Sequence, residues 1–368
     1  MEFHLDKTYR YVIPLPGEMF VPFIQPEVKK ENVMKITKLF SVVMVLAFIL
    51  AACAPAATPA PTAAPAPTKA PVAAKKEYKD LVVGFIQTGS EGGWRAANTA
   101  SFKETATKLG ITLKFYDAQN KLENQVSAFR NFIADPAVNV IVLAALETTG
   151  WEDVLKEAKA AGKIVVIEDR RIDAPSSLYA TYIGADFALE GQNAGKEMCT
   201  LLKDSAKKNV VELVGNVGSS AAKDRGKGFR ETMGACGITI TQSQTANWSA
   251  TEGKDVMAAF LKKDKDIQGV FAQNDEMGLG AALAIKEAGL KPGVDIKIIT
   301  VDGTAGAFKG MIAGDINTVL ECNPLLAPQV YEAALKAING EKLPEWIPSQ
   351  EGIFYQKDAA TIAPTRTY

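Results

Sequence analysis

Histidine is almost absent: His4 is the single one among 368 residues. A chain beginning at Met34 would contain none, and so no Ser-His-Asp triad, no histidine general base and no histidine metal ligand. Excess charge of either sign is also missing, with 41 basic against 42 acidic side chains. A near-neutral chain lacks the basic face that non-specific nucleic-acid binding needs, so no nucleic-acid partner is expected. No calcium loop of the D-x-D-x-D-G type occurs, and Asp264-Lys265-Asp266 reads as a solvated turn. Neither metal nor cofactor is expected. Long apolar runs are lacking too. The run Leu39 to Leu50 has 12 residues with Ser41 its only polar member. As a helix it rises only ~18 Å, short of ~30 Å of hydrocarbon. What is present is ordinary globular material, 47% apolar and 23% charged, too hydrophobic for a disordered chain.

The short apolar run has the context of a targeting segment. Met34-Lys35-Ile36-Thr37-Lys38 is a basic stretch before it, and Ala51, Ala52 and Cys53 follow it. This is the order of a signal peptide. Leu50-Ala51-Ala52-Cys53 resembles a bacterial lipobox, which implies cleavage before Cys53 and lipidation of its thiol. Residues 1–33 do not fit in front of a signal peptide and are read as a mis-assigned upstream extension, with 34–52 the signal peptide. Ala54 to Ala74 holds six of the 18 prolines and is nearly all Ala, Pro and Thr. Such a segment favours polyproline II and reaches about 65 Å at most. Residues 53–77 therefore read as an anchor and spacer, and the body that follows is long enough for two domains.

The body alternates strand and helix. Leu81 to Ile86, Ile111 to Tyr116, Val138 to Leu143 and Lys163 to Ile167 read as strands. Helical patterns fall between them, near Trp94 to Leu109, Lys121 to Ala134 and Trp151 to Ala158. The pattern then restarts, with strands near Val210 to Val214, Ile238 to Thr241, Gly269 to Ala272 and Ile296 to Val301. Its helices fall near Phe187 to Lys203, Ala221 to Gly234, Gly253 to Lys262 and Met277 to Ala288. Such alternation predicts an α/β fold of two similar lobes with parallel sheets.

In open α/β sheets, ligands bind beyond the carboxyl ends of the strands. Those places carry Ser90, Glu91, Trp94 and Arg95, then Asp169, Arg170 and Arg171, then Asn274 with Asp275, and Asp302. Arg225 lies beyond Val210 to Val214, and Trp151 and Trp248 lie in or near the same loops. Carboxylates, amides and guanidinium groups can each engage two vicinal hydroxyls, and aromatic rings pack on C–H faces. The set suits a sugar. Taken singly, each polar residue also reads as a cap, turn residue or surface ion pair, and Trp94 as core.

Four segments carry a resemblance: Val270 to Met277, Val301 to Thr304, Glu168-Asp169-Arg170, and Asp224 to Phe229. They are similar to those of the periplasmic sugar-binding proteins of ABC importers, of the ribose/galactose type. Gln87 to Arg95 and Thr149-Gly150-Trp151-Glu152 resemble the galactofuranose-binding branch. The resemblance implies a type I fold of two Rossmann-like lobes joined by a three-crossover hinge. Crossovers would lie near Ala185-Asp186, Cys322-Asn323 and Gln350-Glu351. The N-terminal lobe would be 78–185 with 323–350, and the C-terminal lobe 186–322 with 351–368. The resemblance implies that Asp169 and Arg170 grip the sugar from one lobe, and Arg225, Asn274 and Asp302 from the other. Trp94 and Trp248 fall where the family stacks aromatics on the ring. Glu91, Arg95 and Glu321 match the galactofuranose branch, while Cys322 stands where ribose-type members place Gln.

These readings imply a monomeric lipoprotein, anchored on the outer face of the bacterial cytoplasmic membrane or periplasmic. It would close on a monosaccharide and deliver it to an ABC permease and its ATPase. A sugar-sensing receptor for a membrane kinase or chemoreceptor fits the same residues. A glycosidase using Asp169, Asp302 and Glu91 is the enzymatic alternative, disfavoured where arginines would keep the carboxylates ionised. In an oxidising exterior Cys199 and Cys236 can pair, or stay as two free buried thiols, with Cys322 free in either case.

Overall fold

The structure is a computed structural model, and it describes residues 74–90 and 92–368. The signal-peptide-like segment, Cys53, the Pro-rich spacer up to residue 73 and Glu91 lie outside the described residues.

The first sheet is built as the chain alternates β1 (Val82–Gln87), α1 (Gly93–Leu109), β2 (Thr112–Asp117), α2 (Leu122–Ala134), β3 (Val140–Leu143), α3 (Glu152–Ala160), β4 (Ile164–Glu168) and β5 (Thr181–Gly184). The second follows with α4 (Phe187–Leu201), β6 (Asn209–Val214), α5 (Ser220–Met233), β7 (Thr239–Thr245), α6 (Ala250–Lys263), β8 (Gly269–Ala272), α7 (Asp275–Glu287), β9 (Lys297–Asp302), α8 (Ala305–Ala313) and β10 (Thr318–Glu321). The chain ends with α9 (Ala327–Ile338), β11 (Trp346–Pro348), β12 (Ile353–Tyr355) and α10 (Ala359–Ile362).

The two six-stranded sheets run β11-β5-β4-β3-β1-β2 and β12-β10-β9-β8-β6-β7. All pairings are parallel except β12, which runs antiparallel to β10. Central strands β3 and β8 are buried along their whole length, as helices on both faces require. The edge strand β7, Thr-Ile-Thr-Gln-Ser-Gln-Thr, is polar and mostly exposed or half-buried, which blunts an open edge. The fold is a two-lobe arrangement of type I.

Three connections pass between the lobes. β5 leads to α4 through residues 185–186. After β10 the chain returns to the first lobe, where α9 packs on α1 and Tyr331 Oη donates to the Phe102 carbonyl over 3.0 Å. β11 then joins the first sheet, and β12 the second, through residues 349–352. Cys199 on α4 and Cys236 after α5 form a disulfide with Cα atoms 5.8 Å apart, and Cys322 is free and buried. Among the described residues no helix is long and apolar enough to cross a membrane.

Candidate functional site

Strand ends and helix starts from both lobes meet around one cavity. From the first lobe come Trp94 and Arg95, at the start of α1, and Asp169 and Arg170, after β4. From the second come Ala221 and Arg225 of α5, Trp248 before α6, Asn274 capping α7, and Asp302 ending β9. Cys322, on the second crossover, completes the wall. The cavity is small and tightly lined, with about 360 Å³ of non-protein space that includes its opening to solvent. Every one of these residues is less than a tenth exposed.

The lobes meet over the cavity. Arg171 Nη2 donates to Asp224 over 2.5 Å, and its backbone N donates to Ser220 Oγ over 2.9 Å. Lys223 Nζ donates to Thr148 Oγ1 over 2.8 Å, and Gly93 N to Glu276 Oε1 over 3.1 Å. These bonds between lobes hold a closed form. Arg171 lies on that seam and not in the cavity wall.

Inside, charges are paired so that they can be buried. Arg95 Nη2 donates to Asp169 Oδ2 over 2.6 Å, and Arg170 Nε lies 3.6 Å from the same oxygen. Arg225 Nε donates to Glu190 Oε2 over 2.6 Å, and its Nη1 to the Gln273 carbonyl over 2.7 Å. Glycine makes the second pair possible: a Cβ at Gly191 would overlap the Arg225 carbonyl, and one at Gly228 the Ala188 carbonyl, so glycines let α4 and α5 approach closely. Guanidinium groups also face rings, with Arg95 Cζ 4.6 Å from the Trp94 centroid and Arg170 and Arg225 5.6 and 5.7 Å from that of Trp248.

The backbone is strained around the cavity. Asp169, Trp248 and Asp302 have φ of 60°, 63° and 130°, unusual for residues with side chains. Strain of this kind costs about 1–3 kcal/mol per residue and collects at ligand sites. Tyr182 Oη donates to the Asp169 carbonyl over 2.7 Å and fixes that turn.

Two groups here have displaced protonation. Burial, helped by the charge of Asp275, pushes the Asp302 carboxyl well above its ordinary range against the pull of Arg225. A neutral carboxyl there can both donate to and accept from a hydroxyl. Burial and then the charge of Glu190 push the Cys322 thiol up, which leaves it unreactive. Trp94 Nε1 donates to the Cys322 carbonyl over 2.6 Å and fixes that indole at the crossover. Trp248 Nε1 is buried without a hydrogen-bond partner among the described residues.

Eight of the residues expected from the sequence line the cavity: Trp94, Arg95, Asp169, Arg170, Arg225, Trp248, Asn274 and Asp302. Two expected contacts lie elsewhere. Ser90 is exposed, outside the cavity, 3.5 Å from Asp117 Oδ2. The Glu321 carboxylate turns away to accept from Arg366 Nη1 over 2.8 Å and from Gly352 N over 2.9 Å. Trp151 is core, packed near Phe129 with its Nε1 donating to the Glu147 carbonyl. Sequence reasoning missed Glu190. Its place in the first turn of α4 reads as an ordinary dipole partner, and no local motif marks it.

The periplasmic binding protein domain family matches residues 83–342. The galactofuranose-binding protein YtfQ of Escherichia coli is 45% identical over 287 residues, covering 76% of this chain and 89% of that protein. A Mycobacterium smegmatis protein solved in complex with β-D-fucofuranose is 43% identical, with a TM-score of 0.76, covering 78% of this chain and 95% of the other. The periplasmic binding protein of the arabinose ABC transporter of Shewanella sp. ANA-3, bound to α- and β-L-arabinofuranose, is 42% identical with a TM-score of 0.75, covering 78% and 96%. With the fold, the closed cavity and these likenesses together, the chain belongs to the periplasmic binding protein family.

Proposed function

We propose that the protein captures a monosaccharide in its furanose form, between its lobes, as the substrate-binding component of an ABC importer. The observation that carries the reading is the composition of the buried wall. The wall holds Asp169, Asn274 and Asp302, which can engage vicinal hydroxyls, Arg95, Arg170 and Arg225, which can donate to a ligand, and Trp94 and Trp248, whose ring faces can pack on C–H groups. The furanose form is supported by relatives that bind galactofuranose, fucofuranose and arabinofuranose at 42–45% identity.

Capture works by hinge closure. Contacts from both lobes stabilise the closed state, so the sugar needs only a higher affinity for that state than for the open one. The closed form would then dock on a permease driven by its ATPase. The protein works outside the cytoplasm as a monomer, tethered through a lipid on Cys53. Delivery to a membrane kinase or chemoreceptor would use the same closure.

Calorimetric titration tests the reading on protein purified without refolding and then stripped of bound ligand. Pentoses and hexoses that populate furanose rings, among them galactose, arabinose and fucose, are expected to give heat. No heat with any monosaccharide would defeat the reading.

A further inference from the structure

All three crossovers meet at one side-chain cluster. Glu190 follows the first crossover, Cys322 lies on the second and Glu351 on the third. One ligand atom from each, two carboxylate oxygens and the sulfur, lie within 4.8 Å of one another. Glu351 Oε1 accepts from Ser349 Oγ over 2.7 Å and from Asn323 N over 3.4 Å, which ties the third crossover to the second. Glu190 Oε2 is taken by Arg225, whose guanidinium lines the ligand cavity. Glu190 Oε1 is buried, and the groups that can donate to Glu190 from the other crossovers are the Cys322 thiol and a protonated Glu351.

We propose that Glu190 and Glu351 are positioning residues for the ligand: they share one proton across the hinge, which keeps Glu190 the anionic partner of Arg225 and holds that guanidinium in the cavity wall. The inference rests on the ligand-capture reading of the cavity.

The surroundings favour one proton in the pair. Burial, then the charge of Glu190, push Glu351 up to about 9, against the pull of Ser349, Arg225 and Asn323. Burial raises Glu190 as well, opposed chiefly by Arg225. The other charged or titratable groups facing the pair are Asp302, Cys322 and Tyr182, with Asp186 and Glu321 beside them in the hinge crevice. That crevice carries no basic residue in its lining, so a second negative charge on the pair would be met only by Arg225. Ionising both carboxyls sets like charges across the crossovers and gives Arg225 two competing partners. Opening the hinge hydrates Glu351 and relieves this. The closed form therefore holds the proton more tightly, and raising the pH disfavours closure.

The test is sugar affinity against pH, by calorimetry, for the wild type, Glu351→Gln and Cys322→Ser. Wild-type Kd is expected to weaken roughly tenfold between about pH 7 and about pH 10. Glu351→Gln, neutral at every pH, is expected to change by less than about threefold over that range. Cys322→Ser is expected to keep the wild-type slope. Equal slopes in wild type and Glu351→Gln, or a slope abolished by Cys322→Ser, would overturn the proposal. Should Glu351→Gln not fold, Ser349→Ala removes a bond to the ionised form, and the midpoint is expected to move to higher pH. An unmoved midpoint counts against the relay. Infrared spectra of unliganded protein are independent of sugar binding. A protonated-carboxyl C=O stretch present in the wild type near pH 7 and missing from Glu351→Gln is expected, which sets it apart from the carboxyls of Asp302 and Glu168, and identical spectra for the two proteins overturn the shared proton. A wild type that takes up no sugar while showing this band would sink the capture reading and leave the shared proton standing.

Discussion

Arg95 and Asp169 form an ion pair of 2.6 Å in which both side chains are about 95% buried, joining the start of α1 to the end of β4. Two charges withdrawn from water this far are stabilised by each other and by Arg170 beside them. Removing one partner strands the others, a loss of about 3–5 kcal/mol for a buried pair. Asp169→Ala should therefore lower the thermal midpoint, yet leave a folded protein, and weaken sugar binding by about 100-fold as charge-assisted bonds are lost. Asp169→Asn keeps the shape and should fall between. Calorimetry with circular dichroism checks both, and retained affinity in Asp169→Ala would remove the residue from the site.

Gly215 lies against the Trp248 indole, and a Cβ there would overlap the ring. Its backbone N donates to Gln273 Oε1 over 3.1 Å, so the strand end cannot easily shift away. Gly215→Ala should push the ring from its place, costing about 1–3 kcal/mol as other overpacked sites do. The expected readouts are a shifted indole emission and a Kd weakened by about tenfold or more, the cost of ~1.4 kcal/mol. Unchanged affinity would show that the ring is not a ligand contact.

How legible all this is from sequence depends on the residue. β3 and β8 are read easily because both faces of each are buried, which leaves unbroken apolar runs such as Val140 to Leu143. β5 (Thr-Tyr-Ile-Gly) and β10 (Thr-Val-Leu-Glu) hold only two successive apolar residues, and β11 and β12 are three residues long, so they take their place from pairing, not pattern. The strand-end rule finds the right loops but not the direction of a side chain. It therefore admits Ser90, which faces Asp117, as the resemblance admits Glu321, which faces Arg366. Glu190 is out of reach for the opposite reason. Its role comes from a close approach of α4 and α5 that only the folded chain reveals.

Glu168 adds a pH dependence. It is fully buried, accepts from Asn98 Nδ2 over 3.2 Å, and its Oε1 has no hydrogen-bond partner among the described residues. Burial, then the charge of Asp169, raise its carboxyl from 4.5 to about 8. The folded form thus binds more protons than the unfolded one between those values, and stability falls as pH rises through that window. Glu168→Gln is neutral throughout and similar in shape. It should melt close to wild type near pH 5 and be more stable near pH 9, by about 1–3 kcal/mol. Thermal melts at both pH values check this, and an equal difference at both would rule out titration of Glu168 as the cause.

The Cys199–Cys236 disulfide spans 37 residues within the second lobe, fastening the end region of α4 to the turn after α5. A loop of that length constrains the unfolded chain by roughly 4 kcal/mol in the chain-entropy account. Neither cysteine lines the ligand cavity, so the constraint belongs to stability and not to recognition. The double variant Cys199→Ser with Cys236→Ser should lose about 10 °C in thermal midpoint, at ~2–4 °C per kcal/mol for a domain of this size. Its sugar affinity near 25 °C should stay within about twofold of wild type. Non-reducing peptide mapping of the wild type should recover the linked pair and a free Cys322 thiol. Recovery of two free thiols in its place would remove the bond, and with it the expected loss of stability.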